Sequence, residues 1–234
     1  NSLKILNSIA KHADILELSF LHNCPIADGS QIQNSTYRAL KNGTTLKDTF
    51  QIAKKFKAAN PNKPLILMGY YNLIYQNGEN NFLKKCKMCK VDGIIVVDLP
   101  YPENKKFAKK CKGKSINFVQ LLSPTTSKTR MKKIIKNSHD MIYYISMLST
   151  TGGKLKVSPK KILKNYSAIK RLSGQKNVVI GFGITNKTIA SFKKTDGLVV
   201  GSQLCKIIND SVKKRQNPVT KVSSIVKVLK NKLL

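Results

Sequence analysis

Apolar residues along this chain gather in short unbroken runs, at 15–18, 65–68, 93–98, 117–121, 141–147, 178–181 and 198–201. Each run is strand-length and rich in Val, Ile and Leu, and none alternates cleanly with polar residues, the pattern of a strand covered on both faces. Longer amphipathic, lysine-studded stretches with helical spacing lie between them, at 45–59, 80–90, 103–111, 126–136, 159–171 and 187–193. This rhythm predicts parallel strands joined by crossover helices. After Asn217-Pro218, residues 219–234 read as a final amphipathic helix.

The stretches 13–18, 91–96 and 195–200 share one plan, in which Asp14, Asp92 or Asp196 leaves a helix and launches an apolar strand. Repetition at such distant points argues for a radially repeated strand–helix unit. The predicted fold is α/β, a TIM (β/α)8 barrel forming one domain over residues 1–234. Seven strands are legible where a barrel has eight. The chain opens in a helical segment, 2–12, that should follow a first strand, so the barrel is expected to lack that strand and to carry an open seam.

Composition narrows the function. No apolar run approaches the roughly 20 residues needed to cross a bilayer, and Lys4 and Lys11 interrupt any secretory pattern, so a soluble cytoplasmic protein is expected. The net charge of +32 raises nucleic-acid binding. Its excess is nearly all lysine spread along the whole chain, with no basic arm and no aromatic interleaving, so no specific nucleic-acid partner is expected. Five cysteines suit a reducing compartment; Cys86 and Cys89 form a CxxC, but no second Cys/His pair follows, so no metal is predicted.

Chemistry in a barrel sits at the carboxyl ends of its strands. Glu17 lies inside the first legible strand between Leu16 and Leu18, where desolvation raises a carboxyl toward the range useful for proton transfer. Asp28 follows in the next loop, either as a site group or as the cap of a helix starting near Ser30. Asp98 ends the third strand and also faces the active end; one of these acids can serve structurally, holding a loop through backbone N–H groups. Three glycine-bearing turns follow late strands, at 150–153, 181–183 and 201–202, where backbone N–H groups and a helix amino end suit a phosphate.

These residues carry a resemblance to the alpha chains of tryptophan synthase. It rests on LEL at 16–18, PIADGSQIQ at 25–33, MGYYNLIYQNG at 68–78, DGIIVVDLP at 92–100, YYIS at 143–146, TTGG at 150–153, GFGI at 181–184 and GLVVGS at 197–202. The resemblance implies a carbon–carbon lyase that cleaves indole-3-glycerol phosphate by a retro-aldol reaction into indole and glyceraldehyde 3-phosphate. It implies Glu17 as the acid–base group and Asp28 as the indole-binding carboxylate. Tyr70, Asp98, Tyr143, Thr151, Gly152, Phe182, Gly183, Gly201 and Ser202 form the implied substrate-binding set. No cofactor is implied for this half-reaction; the partner implied is the pyridoxal-phosphate-dependent beta chain, in an α2β2 tetramer.

Two loops depart from the family pattern. Ser19-Phe20-Leu21-His22-Asn23-Cys24-Pro25 stands where the family usually carries Gly-x-Pro-Phe-Ser-Asp-Pro, and Ser149-Thr150 replaces Gly-Val in the mobile loop. An alternative on these departures is a catalytically impaired alpha-type subunit that binds and activates a beta chain.

Overall fold

The computed structural model describes residues 1–146, 157–181 and 183–234. Helix α1 (Ser2–Ile9) and strand β1 (Leu16–Ser19) are followed by α2 (Ser30–Lys41), α3 (Leu46–Ala59), β2 (Leu65–Gly69), α4 (Tyr71–Asn77) and α5 (Glu79–Met88). Next come β3 (Gly93–Val96), α6 (Lys105–Lys112), β4 (Asn117–Phe118), β5 (Gln120–Leu122), α7 (Lys128–Lys136) and β6 (Met141–Ile145). The chain continues through α8 (Pro159–Ser173), β7 (Asn177–Gly181), β8 (Gly197–Leu198), α9 (Ser202–Lys213) and α10 (Pro218–Asn231).

Local chemistry sets several helix starts. Thr45 and Asp48 form a reciprocal capping box on α3, and Ser127 and Ser158 accept backbone N–H groups at the starts of α7 and α8. The helix expected over 187–193 shrinks to a single 3-10 turn, Ile189–Phe192. There the Thr188 hydroxyl donates to the Gly183 carbonyl and accepts from the Thr185 N–H, local bonds that compete with a helical ladder.

All strand pairs are parallel, in two ladders of order β1-β2-β3-β4 and β5-β6-β7-β8. The run read as one strand at 117–121 is one extended stretch that changes partner at Val119: β4 pairs with β3, and β5 with β6. Among the described residues no ladder joins β4 to β5 or β8 to β1. Ile66, Ile95, Val119, Tyr143 and Val179 form an inner cluster, and two larger apolar clusters lie between strands and helices. The architecture is thus a (β/α)8-type barrel with helices outside. Cys86 and Cys89 are buried in the first outer cluster, and burial raises both thiols, so they pack there as apolar groups. Among the described residues no helix is long and apolar enough to cross a membrane.

The Asp repeat has a physical cause. Asp92 accepts the Leu65 N–H at 2.8 Å and the Lys57 ammonium at 2.9 Å, and Lys57 also donates to the Lys63 carbonyl at 2.9 Å. Asp196 accepts the Val178 N–H at 2.8 Å and pairs with Lys170 at 2.8 Å, and Lys170 donates to the Lys176 carbonyl at 2.9 Å. Each carboxylate therefore bolts the start of the preceding strand to the end of the helix before it. Asp14 differs, pairing at 2.7 Å with Lys230 of α10.

Candidate active site

The β1 register decides which of its side chains face inward. Glu17 pairs with Ile66 and Ser19 with Met68, and both partners belong to the inner cluster. Alternation along the strand sends Leu16 and Leu18 outward against the helices and Glu17 toward the barrel interior. Glu17 keeps accessible surface, but that surface is the wall of a narrow cleft shared with Phe20, His22, Asp28, Ile32 and Tyr70. Protein crowds the carboxyl even though solvent reaches part of the residue. Burial first, and the neighbouring Asp28 charge second, push its pKa up to about 7.

Asp28 arrives on the loop after β1. Its N–H donates to the Pro25 carbonyl at 3.0 Å, and the Gln33 amide donates to its carbonyl at 2.7 Å, so the turn is pinned before α2 begins. The side chain is buried, and the Tyr70 hydroxyl donates to its Oδ2 at 3.2 Å while accepting the Ala27 N–H at 3.0 Å. Burial raises the Asp28 carboxyl above the usual carboxylate range, and the Tyr70 bond opposes that rise. The helix-cap alternative for Asp28 is not what the structure shows: Gly29 precedes α2 and no side chain caps it.

Tyr143 faces inward from β6, and its hydroxyl is held protonated by burial and by the negative charges of Glu17 and Asp28. Its ring lies over Gly181, where a β-carbon would meet the hydroxyl. Asp98 holds a neighbouring loop. Its Oδ1 accepts the Tyr71 N–H at 2.7 Å, capping α4 from another loop and fixing the corner that presents Tyr70.

The glycine turns assemble next door. The Val199 N–H donates to the Ile180 carbonyl at 2.9 Å, so the turns after β7 and β8 open side by side at the carboxyl ends. Gly183 has a φ of 69°, which favours glycine, and Gly201 leads into the twelve-residue α9 at Ser202 without a side-chain cap. A helix amino end of this kind offers N–H groups and a favourable dipole to an anion. A β-carbon on Gly201 would lie 3.9 Å from Ile32 Cδ1, and Ile32 lines the carboxylate cleft, so the two halves of the site adjoin. Thr151, Gly152 and Phe182 lie outside the described residues.

Sequence reasoning overlooked His22 as a site residue. Its ring centroid lies 5.2 Å from that of Tyr70, and it lines the same cleft as Glu17. No short-range signal marks it, because only the path of the loop brings it back over Tyr70. Size is also no guide here: an open groove of about 530 Å³ lies outside the barrel near α3 and α5, while the cleft holding both perturbed carboxylates is about 40 Å³. The carboxylates, not the volume, mark the chemistry.

The model of the tryptophan synthase alpha chain family matches residues 1–233. The tryptophan synthase alpha chain of Pelagibacter ubique (strain HTCC1062) is 69% identical over 232 residues, covering 99% of this chain and 88% of that protein. The alpha chain of Methanocaldococcus jannaschii is 36% identical over 211 residues, covering 88% of this chain and 74% of that protein. A crystal structure of tryptophan synthase subunit alpha from Legionella pneumophila superposes with a TM-score of 0.91 at 27% identity, over 99% of this chain and 86% of that one. A chain from the tryptophan synthase α2β2 complex of Pyrococcus furiosus superposes with a TM-score of 0.88 at 36% identity, over 97% of this chain and 91% of that one.

Proposed function

Because the chain belongs to the tryptophan synthase alpha chain family, we propose that Glu17 and Asp28 carry the chemistry of its reaction. That reaction is the retro-aldol cleavage of indole-3-glycerol phosphate to indole and glyceraldehyde 3-phosphate, a lyase step of tryptophan biosynthesis. The chain partners a tryptophan synthase beta chain, as alpha subunits do in the α2β2 complex. The impaired-subunit alternative draws no support from these relationships.

Cleavage of the bond between indole C3 and the glycerol chain requires a proton delivered to C3 and a proton removed from the adjacent hydroxyl. The electrons of the breaking bond return to the indole ring, and the hydroxyl carbon leaves as the aldehyde. A single carboxyl that titrates near neutrality exists in both forms at working pH, so Glu17 can give the first proton and take the second. Positive charge develops on the indole nitrogen once C3 is protonated. Asp28, oriented by the Tyr70 hydroxyl, is the group suited to stabilise it. Tyr143 supplies pocket wall, Asp98 fixes the Tyr70 corner, and Gly183, Gly201 and Ser202 offer donors to the phosphate. Thr151, Gly152 and Phe182 complete the phosphate and loop set by family position. In this reading the half-reaction runs on side chains and backbone donors, and pyridoxal phosphate is the cofactor of the beta chain. A cytoplasmic location accords with a biosynthetic enzyme of this family.

The observation that carries the assignment is the placement of Glu17 and Asp28 on one cleft, with Glu17 raised to about 7. Indole release by Glu17→Gln tests it: near-normal turnover by a folded variant removes Glu17 from the acid–base role.

A further inference from the structure

The groove outside the barrel is lined by Leu46, Phe50 and Cys89 as its apolar floor, with Lys47, Lys54 and Asn77 around it. Its volume of about 530 Å³ lies in the range of small-molecule sites. No acidic residue lines it, and the nearby Asp48 is occupied by the Thr45 N–H at 2.8 Å and the Thr45 hydroxyl at 2.7 Å.

Asn77 gives the groove its polarity. The Lys85 ammonium donates to Asn77 Oδ1 at 3.0 Å while standing 5.9 Å over the Phe50 ring. An ammonium only donates, so this contact fixes which end of the amide faces Lys85 and leaves Nδ2 to serve another acceptor. That Nδ2 is buried and has no hydrogen-bond partner among the described residues. A buried donor without an acceptor is rare in folded proteins and calls for an explanation.

We propose that this groove is a second binding site, which takes a small aromatic carboxylate with its ring against Leu46 and the Phe50 edge and its carboxylate between Lys47 and Lys54, at the end where Asn77 stands. The apolar floor selects the ring, and the Lys47 and Lys54 ammonium groups, with no carboxylate on the lining beside Gln51 and Thr45, select an anion over a cation. The site also has a mechanical link to the cleft. Asn77 ends α4, and the residue that precedes the same short helix is Tyr70, whose hydroxyl holds Asp28.

The test is a titration of the full chain with 2-naphthoate, followed by ligand fluorescence, which the absence of tryptophan leaves unobscured. One equivalent should bind with a dissociation constant below about 1 mM at physiological salt. Asn77→Asp keeps an oxygen for Lys85 but turns the donor end into an acceptor, and should weaken binding at least about tenfold. Lys54→Glu should do likewise, and it decides the matter if Asn77→Asp fails to fold. Glu17→Gln should bind as the native chain does, which separates this groove from the cleft. Equal binding by Asn77→Asp and the native chain overturns the proposal. So does an equal loss from Lys132→Glu on α7, which removes the same charge elsewhere, or displacement by an equal concentration of inorganic phosphate.

Discussion

A β-carbon on Gly181 would stand 2.0 Å from the Tyr143 hydroxyl oxygen and 2.3 Å from two of its ring carbons. Gly181 pairs with Ile145 in the β6–β7 ladder, so Tyr143 leans two residues toward the carboxyl end and occupies the space a side chain there would fill. Gly181→Ala is expected to cost about 1–3 kcal/mol of stability, measured by urea unfolding, because the inner layer must repack. Indole release should fall with it. Tyr143→Phe in the same chain should not restore stability, since ring carbons also clash, whereas Tyr143→Val should.

Glu17→Gln keeps the shape of the side chain and removes its proton traffic. Indole formation is expected to drop by about 10²–10⁴-fold, with the circular dichroism spectrum unchanged.

The same variant has a pH signature. The Glu17 carboxyl titrates at about 7 in the folded chain against 4.5 for the free group, so the native state binds more protons than the unfolded state between those values. Stability from this group therefore falls as pH rises from about 4.5 to about 7 and is flat on either side. Glu17→Gln should gain on the native chain across that window, seen as a larger urea midpoint difference at pH 8 than at pH 4.5.

Tyr70→Phe removes the hydroxyl that donates to Asp28 and accepts from Ala27. The expected cost is about 1–2 kcal/mol of stability, from one lost bond and one stranded N–H. The Asp28 carboxyl should rise further, so activity should require a higher pH than in the native enzyme; an unshifted pH–rate profile would contradict the role given to Tyr70.

Asp92→Ala leaves the Lys57 ammonium, 5% exposed, with the Lys63 carbonyl and no counter-charge. Because Asp92 itself is half exposed, the expected loss is on the order of 2 kcal/mol rather than the full penalty of a buried pair. Lys57→Met in the same background should recover part of it, as judged by thermal unfolding.

Much of this was legible in the sequence because the barrel repeats a simple local rule. Apolar runs such as 65–68 and 178–181 became β2 and β7 within a residue or two, since strands covered on both faces have no polar face to confuse the reading. Glu17 stood out because charge among aliphatic neighbours is costly, whereas Asp28 was singled out by its place in the next loop and by the family resemblance. The rest depended on distance contacts. The bond from the Tyr71 N–H to Asp98 opens α4, a helix that the apolar pattern of 71–77 did not announce. His22 and the Lys57–Asp92 bolt join residues whose spacing in the chain carries no periodic signal.

The change of partner at Val119 also bears on how the molecule comes apart. One ladder lies on each side of it, each with its own outer apolar cluster and its own Lys–Asp bolt. Among the described residues the halves share α10, with Val222 and Val226 in the first cluster and Leu229 in the second, and the inner cluster of Ile66, Ile95, Val119, Tyr143 and Val179. Such an arrangement makes two foldons held by a clasp. Amide hydrogens of β2 and β3 should exchange as one cohort and those of β6 and β7 as another, and loosening the clasp should let the halves part before either one melts.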